Sequence, residues 1–242
     1  MHGAPLMSAL AAQASGVDLL YLCVPACHEE VAKAAGLNLQ VHPFAGNDLR
    51  VQDVEGVLEQ LASVDVAIIG PGIAHGDENA TDAINAILKG AACPLVLDAA
   101  ALQPTTLDTV SGKGAVLTPH LGELERMEVR PEDLGTMAKR HKATIFLKGS
   151  IDRIAAPDGT VHTIEGGNAG LTVGGTGDTL AGLIGGFIAQ HMEPVPACLL
   201  AGKLMKQAAD LLYDERWFSY TAQDVINRIP GLLHRVDAQH AA

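Results

Sequence analysis

Val173-Gly174-Gly175-Thr176-Gly177-Asp178-Thr179-Leu180 is a glycine-rich turn that runs straight into an apolar, helix-like stretch over residues 180–190. A turn of this composition cradles phosphate. Gly174, Gly175 and Gly177 lack a Cβ, so the backbone is free to take positive φ and bring successive N–H groups against an anion. The helix behind adds the positive end of its dipole. Asp178 is the residue that a plain anion cradle does not need. Its carboxylate at a helix start either caps the helix or takes a proton from a substrate hydroxyl as a phosphoryl group arrives. The chain contains no GxxxxGK[ST] run, and no GxGxxG follows a strand near its start, so neither common nucleotide fingerprint accounts for the turn.

Upstream of the turn, apolar runs and helical periods alternate. Residues 19–24, 64–69, 95–97, 115–117 and 144–147 read as buried strands. Residues 8–15, 28–35, 54–62, 80–88, 123–127 and 131–141 read as the helices between them. Such alternation predicts a doubly wound α/β sheet. After Lys148 the pattern changes: residues 152–156 and 160–164 flank Pro157-Asp158-Gly159 and read as a small hairpin before the phosphate turn. Helices to 190, over 196–213 and over 222–233 close the chain. With no linker-like run, charge block or internal repeat, residues 1–242 read as a single domain.

Composition narrows the function. Of the 242 residues, 48% are apolar and only 3% aromatic, which suits helices packed over a parallel sheet. The formal charge of −12 argues against nucleic acid or an anionic membrane as partner, since both call for a basic face. Cys23, Cys27, Cys93 and Cys198 show no CxxC pairing and read as buried thiols rather than a metal site. No signal-like start and no uncharged run of about 18 apolar residues is present, so a soluble, cytoplasmic protein is expected.

In an open α/β sheet, ligands sit beyond the carboxyl ends of the strands. Gly70-Pro71-Gly72, Asp98, Thr118-Pro119-His120, Lys148-Gly149 and the 174–178 turn all fall at such positions. Any one of these glycines and prolines is explained as punctuation, but together at one edge they point to a crevice. Lys148 reads either as a solvated surface charge or as a partner for nucleotide phosphates. His120 and Glu123 read either as helix-start polarity or as substrate contacts.

Taken in order, these motifs resemble the NAD(P)H-hydrate dehydratase family, a branch of the ribokinase-like fold. Gly174 to Asp178 followed by Leu180-Ala181-Gly182 is similar to the family's Gly-Gly-Ser-Gly-Asp run and Leu-Ala-Gly helix start. Ile68-Ile69-Gly70-Pro71-Gly72, Pro94-Leu95-Val96-Leu97-Asp98-Ala99, Leu117-Thr118-Pro119-His120-Leu121-Gly122-Glu123, Ile145-Phe146-Leu147-Lys148-Gly149, Gly167-Asn168-Ala169-Gly170-Leu171 and Ser219-Tyr220-Thr221-Ala222-Gln223-Asp224-Val225-Ile226 resemble further family segments. The departures are Ala100 for a common Asp, Leu121 and Ala169 for prolines, and Ala74 for a Gly. Gly3-Ala4-Pro5, which in the family follows a first strand and a Gly-Gly-Ser turn, stands almost at residue 1 here, so that strand is expected to be missing from the middle of the sheet.

The resemblance implies a three-layer αβα sandwich with a mostly parallel central sheet. It also implies dehydration of the S epimer of NAD(P)H hydrate by phosphorylation of its C6 hydroxyl and elimination of phosphate. It assigns Asp178 as the base, with Gly174, Gly175, Thr176, Gly177, Lys148 and Gly149 around the nucleotide phosphates. Gly72, His120, Glu123 and Asn168 then line the substrate together with Asp178. ADP or ATP is the implied co-substrate, accompanied by Mg2+ whose ligands stay unassigned. A homo-oligomer, with a tetramer favoured, and a separate epimerase partner are expected too. The rival readings are a hydroxyethylthiazole or hydroxymethylpyrimidine kinase, families that carry Cys at the place of Asp178 and Thr-Pro-Asn at the place of Thr118-Pro119-His120, and a non-catalytic nucleotide-binding protein.

Overall fold

Val96, Val116, Phe146 and Ile154 belong to one buried cluster, while their strand neighbours Leu95, Leu97, Leu117, Ile145, Leu147 and Ala155 belong to another. Successive side chains of a strand point to opposite faces, so this alternation describes one sheet with a core on each side. The computed structural model describes residues 2–240 and the side chains of residues 2–235. Its main sheet has the order β3 (Ala67–Ile69), β4 (Leu95–Leu97), β5 (Val116–Leu117), β6 (Thr144–Leu147), β7 (Asp152–Ala155), β8 (Val161–Ile164). The pairs from β3 to β6 are parallel, and the expected hairpin, β7 and β8, extends the sheet antiparallel.

On one face lie α1 (Gly3–Ala14), α8 (Thr176–Ala189), α9 (Pro194–Arg216) and α10 (Ala222–His240). On the other lie α3 (Val54–Leu61), α4 (Glu78–Gly90), α5 (Thr106–Thr109), α6 (Leu121–Arg126) and α7 (Leu134–His141). This is the three-layer arrangement that the alternating pattern implies. A second, two-stranded sheet pairs β1 (Leu20–Pro25) with β2 (Leu39–Phe44) in parallel, over α2 (Glu29–Ala35).

Several boundaries differ from the sequence expectations, each for a local reason. Residues 39–44 alternate apolar and polar only over Leu39-Gln40-Val41-His42 before reaching Pro43, and they form β2, a strand outside the expected set; as an edge strand bonded only to β1 among the described residues, it tolerates a residue with no N–H. The helix expected from residue 180 begins at Thr176, which places Asp178 in its first turn. The helix expected over 131–141 opens as a 3-10 turn at Pro131–Asp133 before α7.

Packing of α8 leaves no room for a side chain at three of its glycines. A Cβ on Gly182 would lie 2.2 Å from the Ser8 carbonyl oxygen, and one on Gly186 would lie 2.1 Å from Ser15 Oγ. The next glycine, Gly185, turns to the sheet, where a Cβ would lie 2.8 Å from Ile68. Ser8 Oγ also donates to the Asp178 carbonyl oxygen at 3.0 Å, tying α1 to the start of α8. Glycine is therefore required here by proximity to α1 and the sheet, despite its cost inside a helix.

The two sheets do not join. Among the described residues β1 pairs only with β2, and β3 with β4 alone. The facing edges of β1 and β3 border one cavity, lined by every residue of 19–25 and every residue of 64–73. Because neighbouring residues face opposite ways, a cavity that touches all of them runs along the strand edges, not over a face. Ala67 N donates to Pro94 O and Ile69 O accepts from Asp98 N, so both residues bond toward β4 and the backbone groups of Ile68 between them point into this slot. Pro5, Ser8, Ala9 and Ala12 of α1, with Gly185, Gly186 and Ala189 of α8, roof it.

The Gly182→Ala variant is expected to lose about 1–3 kcal/mol of stability in urea denaturation, because the added methyl must push two backbones apart. Gly174→Ala, where nothing lies within 4 Å of an added Cβ, is expected to stay within about 0.5 kcal/mol of the parent.

Candidate active site

Three parallel strands end side by side. Asp98 follows β4, Thr118 follows β5 and Lys148 follows β6, so residues far apart in sequence meet at one edge of the sheet. Thr118 N donates to Leu97 O at 2.9 Å and Lys148 N donates to Pro119 O at 2.8 Å, which carries the parallel pairing on into the site. Asp98 is buried, and its Oδ1 accepts from Thr118 Oγ1 at 2.9 Å and from Lys148 Nζ at 2.7 Å. Lys148 Nζ lies 3.3 Å from Glu123 Oε2 on its other side.

Glu123 and His120 hold each other at the start of α6. Glu123 Oε2 accepts from His120 N at 2.8 Å, and His120 Nδ1 accepts from Glu123 N at 3.1 Å, which is a reciprocal capping box. With Nδ1 accepting, a neutral imidazole carries its proton on Nε2. Glu123 is buried, whereas the His120 side chain is 56% exposed and free to meet a ligand.

The phosphate turn approaches this cluster from the opposite face of the sheet. Of its three glycines only Gly175, which caps α8, takes positive φ, at +96°. Gly174 faces open space, and Gly177 is already helical and needed for closeness: a Cβ there would lie 3.3 Å from Lys148 Nζ and 3.7 Å from Asp98 Oδ2. The sequence left all three free to take positive φ; with α8 starting at Thr176, only Gly175 does so. The first helical bond runs from Thr179 N to Gly175 O, and no side chain caps the helix, so the N–H groups of Thr176, Gly177 and Asp178 remain open to an anion. The Thr176 hydroxyl is committed to Leu171 O and Val173 O.

Asp178 therefore sits beside a lysine and two other carboxylates. Burial, then the nearby Asp98, push its pKa from an ordinary 3.8 up to about 6; Lys148 opposes the rise and Glu123 adds to it. Lys148 shows the converse balance. Burial pulls its pKa down, but Asp98 and Glu123 together outweigh burial and hold it above the usual lysine value, so the ammonium stays charged.

The remaining expected site residues are placed as follows. Gly70 presses on Asp98, whose carbonyl oxygen would lie 1.8 Å from a Cβ at that glycine, and Gly72 ends the same turn at φ +80°. Gly149 N donates to Asp152 Oδ1 at 2.9 Å. Asn168 is occupied within the protein: Oδ1 accepts from Gly170 N and from Tyr220 Oη, and Nδ2 donates to Ala209 O.

Sequence reasoning missed Lys206. It is 5% exposed, and its Nζ donates to Ser150 O and Gly166 O and pairs with Asp152 at 3.3 Å, joining the loops after β6 and after β8. Its signal was helical phase, since Lys206 shares a face of α9 with the buried Gly202 and Ala209.

A glycine turn with open amides, a carboxylate of raised proton affinity beside it and a clamped lysine at three strand ends make a geometry suited to an anion. Comparison with known proteins specifies it further: the family model for NAD(P)H-hydrate dehydratase matches residues 1–231. The chain belongs to the NAD(P)H-hydrate dehydratase family. The ADP-dependent (S)-NAD(P)H-hydrate dehydratase of Cenarchaeum symbiosum is 32% identical over 246 residues, covering 98% of this chain and 85% of that protein. The bifunctional NAD(P)H-hydrate repair enzyme Nnr of Archaeoglobus fulgidus is 32% identical, with the chain spanning 48% of it. Among solved structures, the Bacillus subtilis ADP/ATP-dependent NAD(P)H-hydrate dehydratase co-crystallised with ATP/Mg2+ superposes with a TM-score of 0.80 at 28% identity, over 97% of this chain and 85% of that one. Hydroxyethylthiazole kinase from Pyrococcus horikoshii, at 18% identity and a TM-score of 0.62 over 93% of this chain and 92% of that one, shares the fold alone. Family membership thus favours the dehydratase over the kinase reading.

A carboxyl whose pKa is raised on folding holds its proton longer in the folded state, so the stability it contributes is full below 3.8 and lost as pH rises through about 6. Asp178→Asn is therefore expected to melt above the parent near pH 8, with the difference closing toward about pH 4 in parallel thermal scans.

Proposed function

We propose that this protein dehydrates the S epimer of NAD(P)H hydrate back to NAD(P)H with ADP as phosphoryl donor. The observation that carries the reading is Asp178, a carboxylate of raised proton affinity at the head of a helix whose first amides are open. The terminal phosphoryl group of the nucleotide rests on the N–H groups of Thr176 and Gly177, with the Lys148 ammonium beside it. Asp178 takes the proton of the C6 hydroxyl as the oxygen attacks the terminal phosphorus, whose bond to the bridging oxygen breaks so that AMP leaves. The C6–O bond then breaks with its electron pair leaving on phosphate, driven by the ring nitrogen, and loss of the C5 proton to water restores the ring double bond. Hydroxide is a poor leaving group and phosphate a good one, which is the reason for the phosphorylation.

ADP is favoured over ATP by the relatives named ADP-dependent. Among the described residues no group of three or more His, Cys, Asp and Glu is arranged to hold a metal ion. The carboxylates of Asp98 and Glu123 are already engaged by Lys148. Magnesium in this scheme arrives on the nucleotide phosphates and screens their charge. His120, by its exposure, and Gly72, by its place after β3, meet the hydrate. No helix among the described residues is long and apolar enough to cross a membrane, and a cytoplasmic site of action is part of the proposal. Bifunctional relatives support a separate epimerase as partner to this chain, and a homo-oligomer is the proposed assembly.

The slot between β1 and β3 takes one further extended segment, parallel to both strands and leading into α1. That placement makes a right-handed strand–helix–strand unit with α1 and β1 and joins the two sheets. It supplies partners to backbone groups such as those of Ile68, each costing about 1–3 kcal/mol when left unsatisfied in a core.

Absorbance near 340 nm on NADH hydrate is expected to rise with ADP and Mg2+, and Asp178→Asn is expected to abolish the rise while nucleotide affinity stays within a few-fold. Nucleotide binding without turnover in folded parent protein points to the non-catalytic reading. Gly177→Val is expected to weaken ADP binding by obstructing the turn, and unchanged affinity would displace the phosphate from it. Joining an apolar, β-branched strand ahead of Gly3 is expected to raise the melting temperature by several degrees; no rise leaves the slot without that occupant.

A further inference from the structure

We propose that Asp98 is a positioning residue: backed by Thr118, it holds the Lys148 ammonium against Gly177, where the remaining N–H of the lysine joins the open amides of the phosphate turn on a single anion. This rests on the reading of Asp178 as the base and of Thr176 and Gly177 as the phosphate donors. A lysine head on a flexible four-carbon stem has no defined place unless it is held. Asp98 is 2% exposed and itself fixed, since Oδ1 accepts from the fully buried Thr118 hydroxyl while also accepting from Lys148. Glu123, locked by the His120 amide, stands on the other side of the ammonium. These two carboxylates engage two of the three N–H groups, and among the described residues the third has no partner. Gly177 is close enough to Nζ that any side chain there would crowd it, so the direction left to the third N–H is that of the amides of α8.

A purely structural ion pair accounts for burial of Asp98 but not for an effect on chemistry, and the two are separable. The charged groups facing Asp178 are Asp98 from the end of β4, Lys148 from the end of β6 and Glu123 from α6; α1 contributes only the Ser8 hydroxyl. Asp98 and Lys148 act on Asp178 with opposite sign, Asp98 being the larger.

The experiment compares parent, Asp98→Asn, Thr118→Val and Lys148→Met for kcat, the KM for NADH hydrate and the pH dependence of turnover with ADP–Mg2+. The Asp178 carboxyl is titrated by NMR without substrate in the same proteins. Asp98→Asn is expected to lower kcat by about ten- to a hundredfold with KM nearly constant. Its acid limb should move to lower pH, and that of Lys148→Met to higher pH. Thr118→Val, which removes only the hydroxyl behind Asp98, should lower kcat in the same direction by less, and it serves if Asp98→Asn does not fold. Parent-like kcat in both Asp98→Asn and Thr118→Val, or an NMR titration of Asp178 that moves the same way in Asp98→Asn and Lys148→Met, would overturn the proposal. If the NMR titration of Asp178 moves in opposite directions while the acid limb does not follow, the positioning of Lys148 stands and the assignment of Asp178 as base fails.

Discussion

The architecture depends on how closely α8 lies on its neighbours. Gly182 and Gly186 leave no room for a side chain toward α1, and Gly185 leaves none toward Ile68 of β3. This seam sets the height of the α8 amino terminus above the strand ends, and hence where the open amides and Asp178 meet the residues that follow β4, β5 and β6. A side chain of ordinary size in the seam would lift the turn away from Lys148. Packing and chemistry are therefore set by the same glycines, with Gly177 extending the contact into the site.

The site itself gathers charge in a partly buried place. One ammonium stands among Asp98, Glu123 and Asp178, and its attraction is spent mainly on the first two, which leaves Asp178 with enough proton affinity to act near neutral pH. Such an imbalance is unfavourable for folding, because a carboxylate beside two others is strained when ionised. The fold tolerates it since the strand ends and the capping box at α6 fix every other member, so that the strain falls on Asp178, the residue proposed as the base.

Much of this was legible in the sequence, because parallel strands buried on both faces are continuous apolar runs and the helices between them carry a clear period. The glycine turn with Asp178, and the strand ends at Asp98, Thr118 and Lys148, could be marked as belonging to one edge. Their pairing could not, since Lys148 and Asp98 are 50 residues apart and nothing local favours either partner. β2 escaped because its alternation, Leu39-Gln40-Val41-His42, is only four residues long and runs into Pro43, which argues against a strand; its place at a sheet edge permits it. Asn168 could be read either as a ligand contact or as a brace for the turn before Gly170; the structure shows the brace, with Gly170 N and Tyr220 Oη donating to its Oδ1 and Nδ2 donating to Ala209 O, and no local signal pointed to Tyr220 or Ala209 as partners. Lys206 was obscured by its charge, although its helical phase is that of a buried face.

The hydrogen bond from Ser8 to the Asp178 carbonyl spans 170 residues, and the glycine seam around it joins the second turn of α1 to a helix near the far end of the chain. A chain leaving the ribosome at about 5–20 residues per second presents α1 long before its partner exists. Through most of synthesis, the small-residue face of α1 has nothing of its own to pack on. Maturation of the site is therefore a late and non-local event, in which the last third of the polypeptide must return to the first helix before the phosphate turn takes its working position. A chain stalled or cleaved before α8 would retain all eight described strands and the residues clustered around Lys148, but neither the phosphate turn's helix nor Asp178.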